Sequence, residues 1–118
     1  MKDFKKLLIW SKGMEITRES YNLVSSWPSF EKFNLGNQII RAAISIPSNI
    51  AEGNSRMSEK DKKRFIEIAL GSAFELETQL YICFDQNYLS EKELNIYLDK
   101  VQKIQKMLYN FRTTLSHS

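Results

Sequence analysis

The chain is short of the residues that most metal and catalytic sites require. Its 118 residues include a single histidine, His117, and a single cysteine, Cys83. A metal site built from several His and Cys ligands is therefore excluded, and no internal disulfide can form. No Gly-rich phosphate-binding loop occurs either. We predict no cofactor, no metal and no catalytic residue, and hence a protein that is not an enzyme and works by binding.

Glycine and proline are also scarce, with four and two residues. An all-β fold would need more of both for its tight turns, so the composition favours helices. No apolar run approaches the roughly 18 residues of a transmembrane helix, and the apolar residues at 7–10 are too few for a secretory signal. We expect one cytoplasmic domain over residues 1–118 that does not contact a membrane.

Four segments repeat apolar residues at steps of three and four, which is the spacing of an amphipathic helix. The first should end before Pro28, because a proline disfavours helical backbone in the residue before it. The third begins near Ser58, and the fourth begins at Ser90, where Glu93 completes a capping box. The residues predicted to face the core are Leu7, Trp10, Met14, Thr17, Tyr21 and Val24 in the first segment, Phe65, Ala69, Ala73, Leu76, Leu80 and Cys83 in the third, and Leu94, Tyr97, Val101, Ile104, Leu108, Phe111 and Leu115 in the fourth.

The second segment, from about residue 35 to 53, is apolar on two adjacent faces. Since one face is enough to pack inside a small bundle, the second predicts contact with another subunit. Pro47 lies within this helix and deprives the carbonyl of Ala43 of its usual donor, a gap that we expect Ser48 or Asn49 to fill. The two faces consist of Ile39, Ala43, Ile46 and Ile50, and of Ile40, Ile44 and Ala51.

Short connections join the four segments, at residues 28–34, 54–57 and 87–89. Helices joined so closely pack against their neighbours in opposite directions. The predicted fold is therefore all-α, an antiparallel up-down-up-down four-helix bundle. Within the third helix, Gly71-Ser72-Ala73 places small residues where we expect another helix to approach closely.

The run Arg41-Ala42-Ala43-Ile44-Ser45-Ile46-Pro47-Ser48-Asn49-Ile50-Ala51-Glu52-Gly53, followed by Arg56, resembles the signature of the four-helix-bundle proteins encoded by intervening sequences in 23S ribosomal RNA genes. The resemblance covers almost the whole chain, although Gly13 stands where the pattern has alanine. It implies a bundle that assembles as a homopentameric ring, and it implies no reaction. A related branch, the accessory proteins of diversity-generating retroelements, is similar in fold and binds nucleic acid and a reverse transcriptase through basic surfaces.

Polar residues of this run form a stripe along the second helix. One interpretation is a track that lines a pore or a ligand site. The other, which we favour, is structural: Arg41 and Glu52 form ion pairs across a subunit interface, because buried polar groups need partners. The residues assigned to the family motif and interface are Arg41, Ser45, Pro47, Asn49, Glu52 and Gly53.

Seventeen Lys and Arg residues against fourteen Asp and Glu residues give a net charge of +3. A basic cluster alone is typical of a solvated surface, but a cluster repeated around a ring makes many weak phosphate contacts. Few aromatic residues lie outside the apolar faces, so we expect little base recognition. The candidate nucleic-acid-binding residues are Arg56, Lys60, Lys62, Lys63 and Arg64 near the third helix, and Lys100, Lys103 and Lys106 on the fourth.

Three hypotheses follow. The first is an oligomeric scaffold or accessory factor that binds RNA or DNA with little sequence specificity and serves a nucleic-acid enzyme. The second is a ring that acts only through protein interactions or structure. The third and most remote is a ribonuclease, because Arg112 and His117 are similar in spacing to the Arg-x4-His motif of the helical HEPN ribonucleases.

Overall fold

Four long helices make up most of the chain. The computed structural model describes residues 3–115, and every element assigned in that range is helical: α1 at Leu8–Val24, α2 at Asn37–Ser55, α3 at Glu59–Asp85 and α4 at Glu91–Thr113, with a short 3-10 turn at Phe4–Lys6 before them. None of the helices in the described range is long and apolar enough to cross a membrane. The prediction of an all-α protein with four helices is confirmed, including the capping box at Ser90.

The connection between α1 and α2 is helical, whereas the sequence suggested a loop at residues 28–34. One α-helical turn at Ser29–Glu31 and a π-helical segment at Lys32–Gly36 run directly into α2. Two contacts hold this segment in place. The hydroxyl of Tyr88 donates to Glu31 at 3.0 Å, and a Cβ on Gly36 would lie 2.7 Å from Val24, so the segment passes very close to the end of α1.

Specific contacts fix the register of each helix against its neighbours. The helices pack mainly in the pairs α1 with α2, α2 with α3, α3 with α4, and α1 with α4. Each pair is tied by at least one polar contact between side chains or between a side chain and a carbonyl. These contacts join Thr17 to Ala43, Ser45 to Ser72, Ala73 to Gln105, Glu67 to Arg112, and Glu19 to Lys100.

The predicted inner faces of α2 and α4 are confirmed. In α2 the face of Ile39, Ala43, Ile46 and Ile50 is fully buried. In α4 all predicted residues are buried except Phe111, which is half-buried. The inner face of α3 is also as predicted, except that Ile66 rather than Phe65 occupies its first position and that Gln79 is buried as well.

The predicted inner face of α1 is wrong by about one position, except at Val24, which is buried as predicted. Ile9, Gly13, Ile16 and Ser20 face the core, whereas the predicted residue Tyr21 is 51% exposed. The spacing of apolar residues did not reveal this face, because it contains a glycine and a serine, which are not hydrophobic. The serine is accommodated because its hydroxyl donates to the carbonyl of Ile16 at 2.8 Å and bonds the hydroxyl of Tyr97.

Pro47 is placed at a close contact between α1 and α2. The carbonyl of Ala43 accepts a hydrogen bond from Thr17 Oγ1 at 3.1 Å, and that hydroxyl also lies 2.9 Å from the carbonyl of Gly13. A Cβ on Gly13 would lie 3.2 Å from Ile46 and 3.3 Å from the Pro47 ring. Glycine at position 13 therefore lets α1 come close enough for Thr17 to replace the lost helical donor.

The expectation that Ser48 or Asn49 would fill this gap is wrong. The amide of Asn49 donates instead to the carbonyl and hydroxyl of Ser45, at 2.7 and 2.9 Å. Ser45 in turn contacts Ser72 of α3, so Asn49 serves the other flank of α2. The close approach expected at Gly71-Ser72-Ala73 is wrong at Gly71, where a Cβ would meet nothing within 4 Å, but Ser72 contacts α2 and Ala73 is fully buried.

Thr17→Val tests the role of the Thr17 hydroxyl. The substitution keeps the shape of the side chain but leaves the carbonyl of Ala43 without a donor, so the free energy of unfolding should fall by about 1–2 kcal/mol. Thr78→Val is the matched control, since that exposed hydroxyl bonds only the carbonyl of Phe74 in its own helix. Urea denaturation measures both variants, and equal losses of stability would contradict the assigned role.

Candidate nucleic-acid interface

The junction between α2 and α3 gathers the first group of candidate basic residues at one end of the bundle. Helix α3 begins where the hydroxyl of Ser58 accepts from the backbone of Asp61 at 3.1 Å. The turn is tight, because a Cβ on Gly53 would lie 3.0 Å from Phe65. As a result, Arg56 and the basic residues at positions 60–64 lie within two helical turns of one another.

Two arginines converge on the ring of Phe65. The guanidinium carbon of Arg56 lies 4.7 Å from the ring centroid, and that of Arg64 lies 5.3 Å from it. Arg56 also pairs with Glu52 at 2.5 Å, so part of its charge is neutralised within the chain. Stacking on the ring orders the flexible side chains while leaving the charge of Arg64 available.

Lys62 serves the fold. Its ammonium group donates to the carbonyl of Asn54 in the last turn of α2 at 3.1 Å, where a positive charge matches the negative end of the helix dipole. The side chain is half-buried at the edge of a cavity of about 220 Å³. Apolar residues from α2, α3 and α4, from the turn before α1 and from the segment after α4 line this cavity: Leu7, Ile50, Ile66, Phe111 and Leu115.

The remaining cations at the junction are not neutralised within the described chain. Lys60, Lys63 and Arg64 form no ion pair or hydrogen bond with any residue between 3 and 115. We refer to these three residues together with Arg56 as the junction cluster. An unpaired ammonium or guanidinium group on a surface is free to contact a phosphate.

Further basic residues, beyond those predicted from the sequence, lie at the same end of the bundle as the junction cluster. The cavity beside Lys62 also places the start of α1 and the end of α4 at the same end of the bundle. The segments 3–7, 54–64 and 109–115 meet there and carry eight Lys and Arg residues against three carboxylates. The opposite end, formed by residues 26–36 and 84–93, carries four carboxylates against two lysines. The bundle therefore has one positively charged end and one negatively charged end.

The three candidate lysines of α4 are not equally available to a phosphate, because two of them pair with carboxylates. Lys100 pairs with Glu19 of α1, and this hydrogen bond raises the pKa of Lys100 above its ordinary value. Lys103 pairs with Asp99 at 3.0 Å. Only Lys106 of the three has no partner among the described residues. The sequence could not reveal the first pair, because Glu19 and Lys100 are 81 positions apart.

Most of the family-motif residues have structural partners inside the chain. Ser45 and Asn49 join α2 to α3, Pro47 packs on α1, and Gly53 packs on Phe65. Arg41 is exposed and makes no hydrogen bond or ion pair within the described range. The expected pairing of Arg41 with Glu52 across an interface stays a prediction, and within the chain Glu52 pairs with Arg56.

The described residues show no arrangement suited to covalent chemistry. Burial, and secondarily the charge of Glu31, raises the pKa of the Cys83 thiol to about 12, so it stays protonated at neutral pH. Arg112 Nε donates to Glu67 at 2.7 Å, while His117 lies outside the described residues. No group of three His, Cys, Asp or Glu residues within the described range is placed to hold a metal ion.

Comparisons with known proteins agree with this architecture. Residues 5–110 match the model of a family described as 23S rRNA-intervening sequence protein. A crystal structure of a protein with unknown function from the S23 ribosomal protein family of Bacteroides thetaiotaomicron is similar, with a TM-score of 0.79 and 24% identity. The match covers 89% of this chain and 98% of that chain, and at this identity it shows the fold alone. No curated protein matches the sequence.

Proposed function

We propose that this chain, which belongs to the 23S rRNA-intervening sequence protein family, is a non-enzymatic oligomeric bundle that binds nucleic acid, chiefly RNA, through phosphate contacts. The observation that carries the proposal is the junction cluster, in which Lys60, Lys63 and Arg64 have no carboxylate partner among the described residues. In this role it serves as a scaffold or accessory factor for an enzyme that acts on RNA or DNA. Its cytoplasmic location stays a prediction from the sequence.

The charge distribution supports phosphate binding at one end of the bundle. The segments that meet there have a net charge of +5, against −2 at the opposite end. Such a gradient orients a polyanion toward the basic end. Each phosphate that a lysine or arginine neutralises releases counterions, so a few contacts per subunit give an affinity that depends steeply on salt. Repetition in an oligomer multiplies the effect.

The proposal includes an antiparallel up-down-up-down path and a homo-oligomer, with a pentameric ring favoured by the family resemblance. The path is supported by the order of the contacts, because Gly13 lies near Ile46 while Gly36 lies near Val24. The oligomer is supported by an apolar stripe along α1 and α2 that the chain leaves partly uncovered. We refer to this as the α1/α2 stripe; it consists of Trp10, Met14, Tyr21, Ile40 and Ile44.

A second copy of the chain is the partner that this stripe fits best. Met14 and Tyr21 lie three and four residues from Thr17, the residue that contacts α2, so they share the flank of α1 that faces α2. Ile44 is 38% exposed on the outward face of α2. Contiguous apolar surface of this kind usually marks a protein interface, and Arg41, which has no partner within the described range, lies one turn before Ile44.

The alternative is a protein-interaction or structural ring with no nucleic-acid role. Three ion pairs reduce the number of cations available to phosphate, because Glu52, Glu19 and Asp99 neutralise Arg56, Lys100 and Lys103 within the chain. Under this alternative the remaining cations only keep the surface solvated. The two functions differ in whether the charge of the junction cluster affects binding.

The charge-reversal variant Lys60→Glu/Lys63→Glu tests the junction cluster. We expect affinity for structured RNA at physiological salt to fall on the order of tenfold or more, because two phosphate contacts per subunit become repulsive. Lys32→Glu/Lys92→Glu changes the net charge equally at the opposite end and should have a smaller effect. Fluorescence anisotropy measures both, and equal losses would show that only the overall charge matters.

Ile44→Asp tests the α1/α2 stripe. A carboxylate in an apolar interface has no partner there, so the variant should have a lower mass than the wild-type oligomer in size-exclusion chromatography with light scattering. Its helical content should be unchanged, since Ile44 is partly exposed in the monomer. Ile96→Asp on α4 is the control, as Ile96 is exposed as well. If the Ile44→Asp variant keeps the full mass of the oligomer, the α1/α2 stripe is not part of the subunit interface.

A further inference from the structure

A groove of about 390 Å³ lies between α3 and α4 on the outside of the bundle. Its walls carry two aromatic rings, Phe74 and Tyr109, which are 53% and 57% exposed. The remaining lining residues are Leu70, Gln105, Lys106 and Asn110. The sequence indicated that few aromatic residues lie outside the apolar faces of the helices. That expectation is wrong for this groove.

The polar groups of the groove are divided between those already bonded and those left free. Gln105 donates to Glu77 at 2.7 Å and lies 3.4 Å from the carbonyl of Ala73. Lys106 has no ion pair, and the side-chain amide of Asn110 has no hydrogen bond, to any residue between 3 and 115. An ammonium group and an amide are therefore available beside the two exposed rings.

The carboxylates near the groove are held by neighbouring donors. Glu77 accepts hydrogen bonds from Gln105, from Gln102 at 3.2 Å and from Tyr81 at 3.1 Å. These bonds lower the pKa of Glu77 and disperse its negative charge. Glu67 lies on α3 between Lys63 and Leu70, and it pairs with Arg112. Neither carboxylate neutralises Lys106, which keeps its charge for an anionic ligand.

The groove is continuous with the junction cluster along one flank of α3. Lys63, Leu70 and Phe74 are spaced by seven and four residues, so they lie on the same side of the helix. At a rise of about 1.5 Å per residue, Lys63 and Phe74 are roughly 16 Å apart along the axis. A nucleic-acid strand held by the junction cluster can therefore extend into the groove.

We propose that this groove binds unpaired bases of single-stranded RNA or DNA, with Phe74 and Tyr109 as stacking surfaces and Lys106 as a phosphate contact. The inference rests on the proposed function, since nucleic acid is the ligand of both. Exposed aromatic rings beside lysines are the usual means of binding single strands with little sequence preference. Bases inside a duplex are already stacked, so the groove adds a preference for unpaired regions, and the free amide of Asn110 lies where it can bond a base edge.

The test compares three labelled probes of equal length by fluorescence anisotropy: single-stranded oligo(dT), an abasic strand and a duplex. We expect Phe74→Ala/Tyr109→Ala to weaken oligo(dT) binding by about tenfold or more, and to change binding of the other two by less than about twofold. Tyr109→Phe should retain binding, because stacking needs the ring and not the hydroxyl. The matched control is Phe30→Ala/Phe33→Ala, which removes two exposed rings at the opposite end.

The outcomes separate this inference from the proposed function. If the loss of both rings leaves oligo(dT) binding unchanged, the groove does not bind bases and the inference is wrong. A loss of all binding in the Lys60→Glu/Lys63→Glu variant would still support phosphate binding by the junction cluster. A wild-type protein that binds neither these probes nor structured RNA at low salt overturns both. Light scattering of Phe74→Ala/Tyr109→Ala should show the wild-type mass, and a lower mass would make the groove a subunit interface and overturn the inference.

Discussion

The carbonyl of Ala43 is the point on which the packing of α2 depends. Pro47 removes its normal donor, and the replacement comes from Thr17 on a different helix. This hydrogen bond requires α1 to lie very close to α2, which Gly13 permits because a side chain there would press on Ile46 and Pro47. A proline within a helix thus acts as a specific docking point, and the register of the two helices follows from it.

The other motif residues complete the packing of α2 on its second flank. Ser45 and Asn49 bond each other and Ser72 of α3, and Gly53 lets the end of α2 meet Phe65. The motif is therefore largely explained by the contacts of one central helix with both of its neighbours. The contacts within the chain do not explain the outward face, where Arg41 has no partner among residues 3–115 and Ile44 is partly exposed. We assign these two motif residues to the contact between subunits of the oligomer.

The helices could be predicted from residues close together in the sequence. The buried face of α1 and the ion pairs could not, because they depend on contacts between distant residues. Capping at Ser90 and the regular repeat of α4 were sufficient because both depend on residues three or four apart. The inner face of α1 was missed because Gly13 and Ser20 are defined by what they contact on other helices. For the candidate site the same limit applies. The sequence identified the basic residues of the junction, but it could not show that Glu19 neutralises Lys100 or that Phe74 and Tyr109 face a groove.

In the proposed function, the positively charged end of the bundle makes the phosphate contacts. This claim is tested most directly by measuring the affinity of the nuclease-treated wild-type protein for structured RNA across a salt series. We predict tight binding at low salt and a linear fall of log affinity with log salt concentration, with a slope that reports several phosphate contacts. An absence of binding at low salt, or an affinity that does not change with salt, would contradict the account.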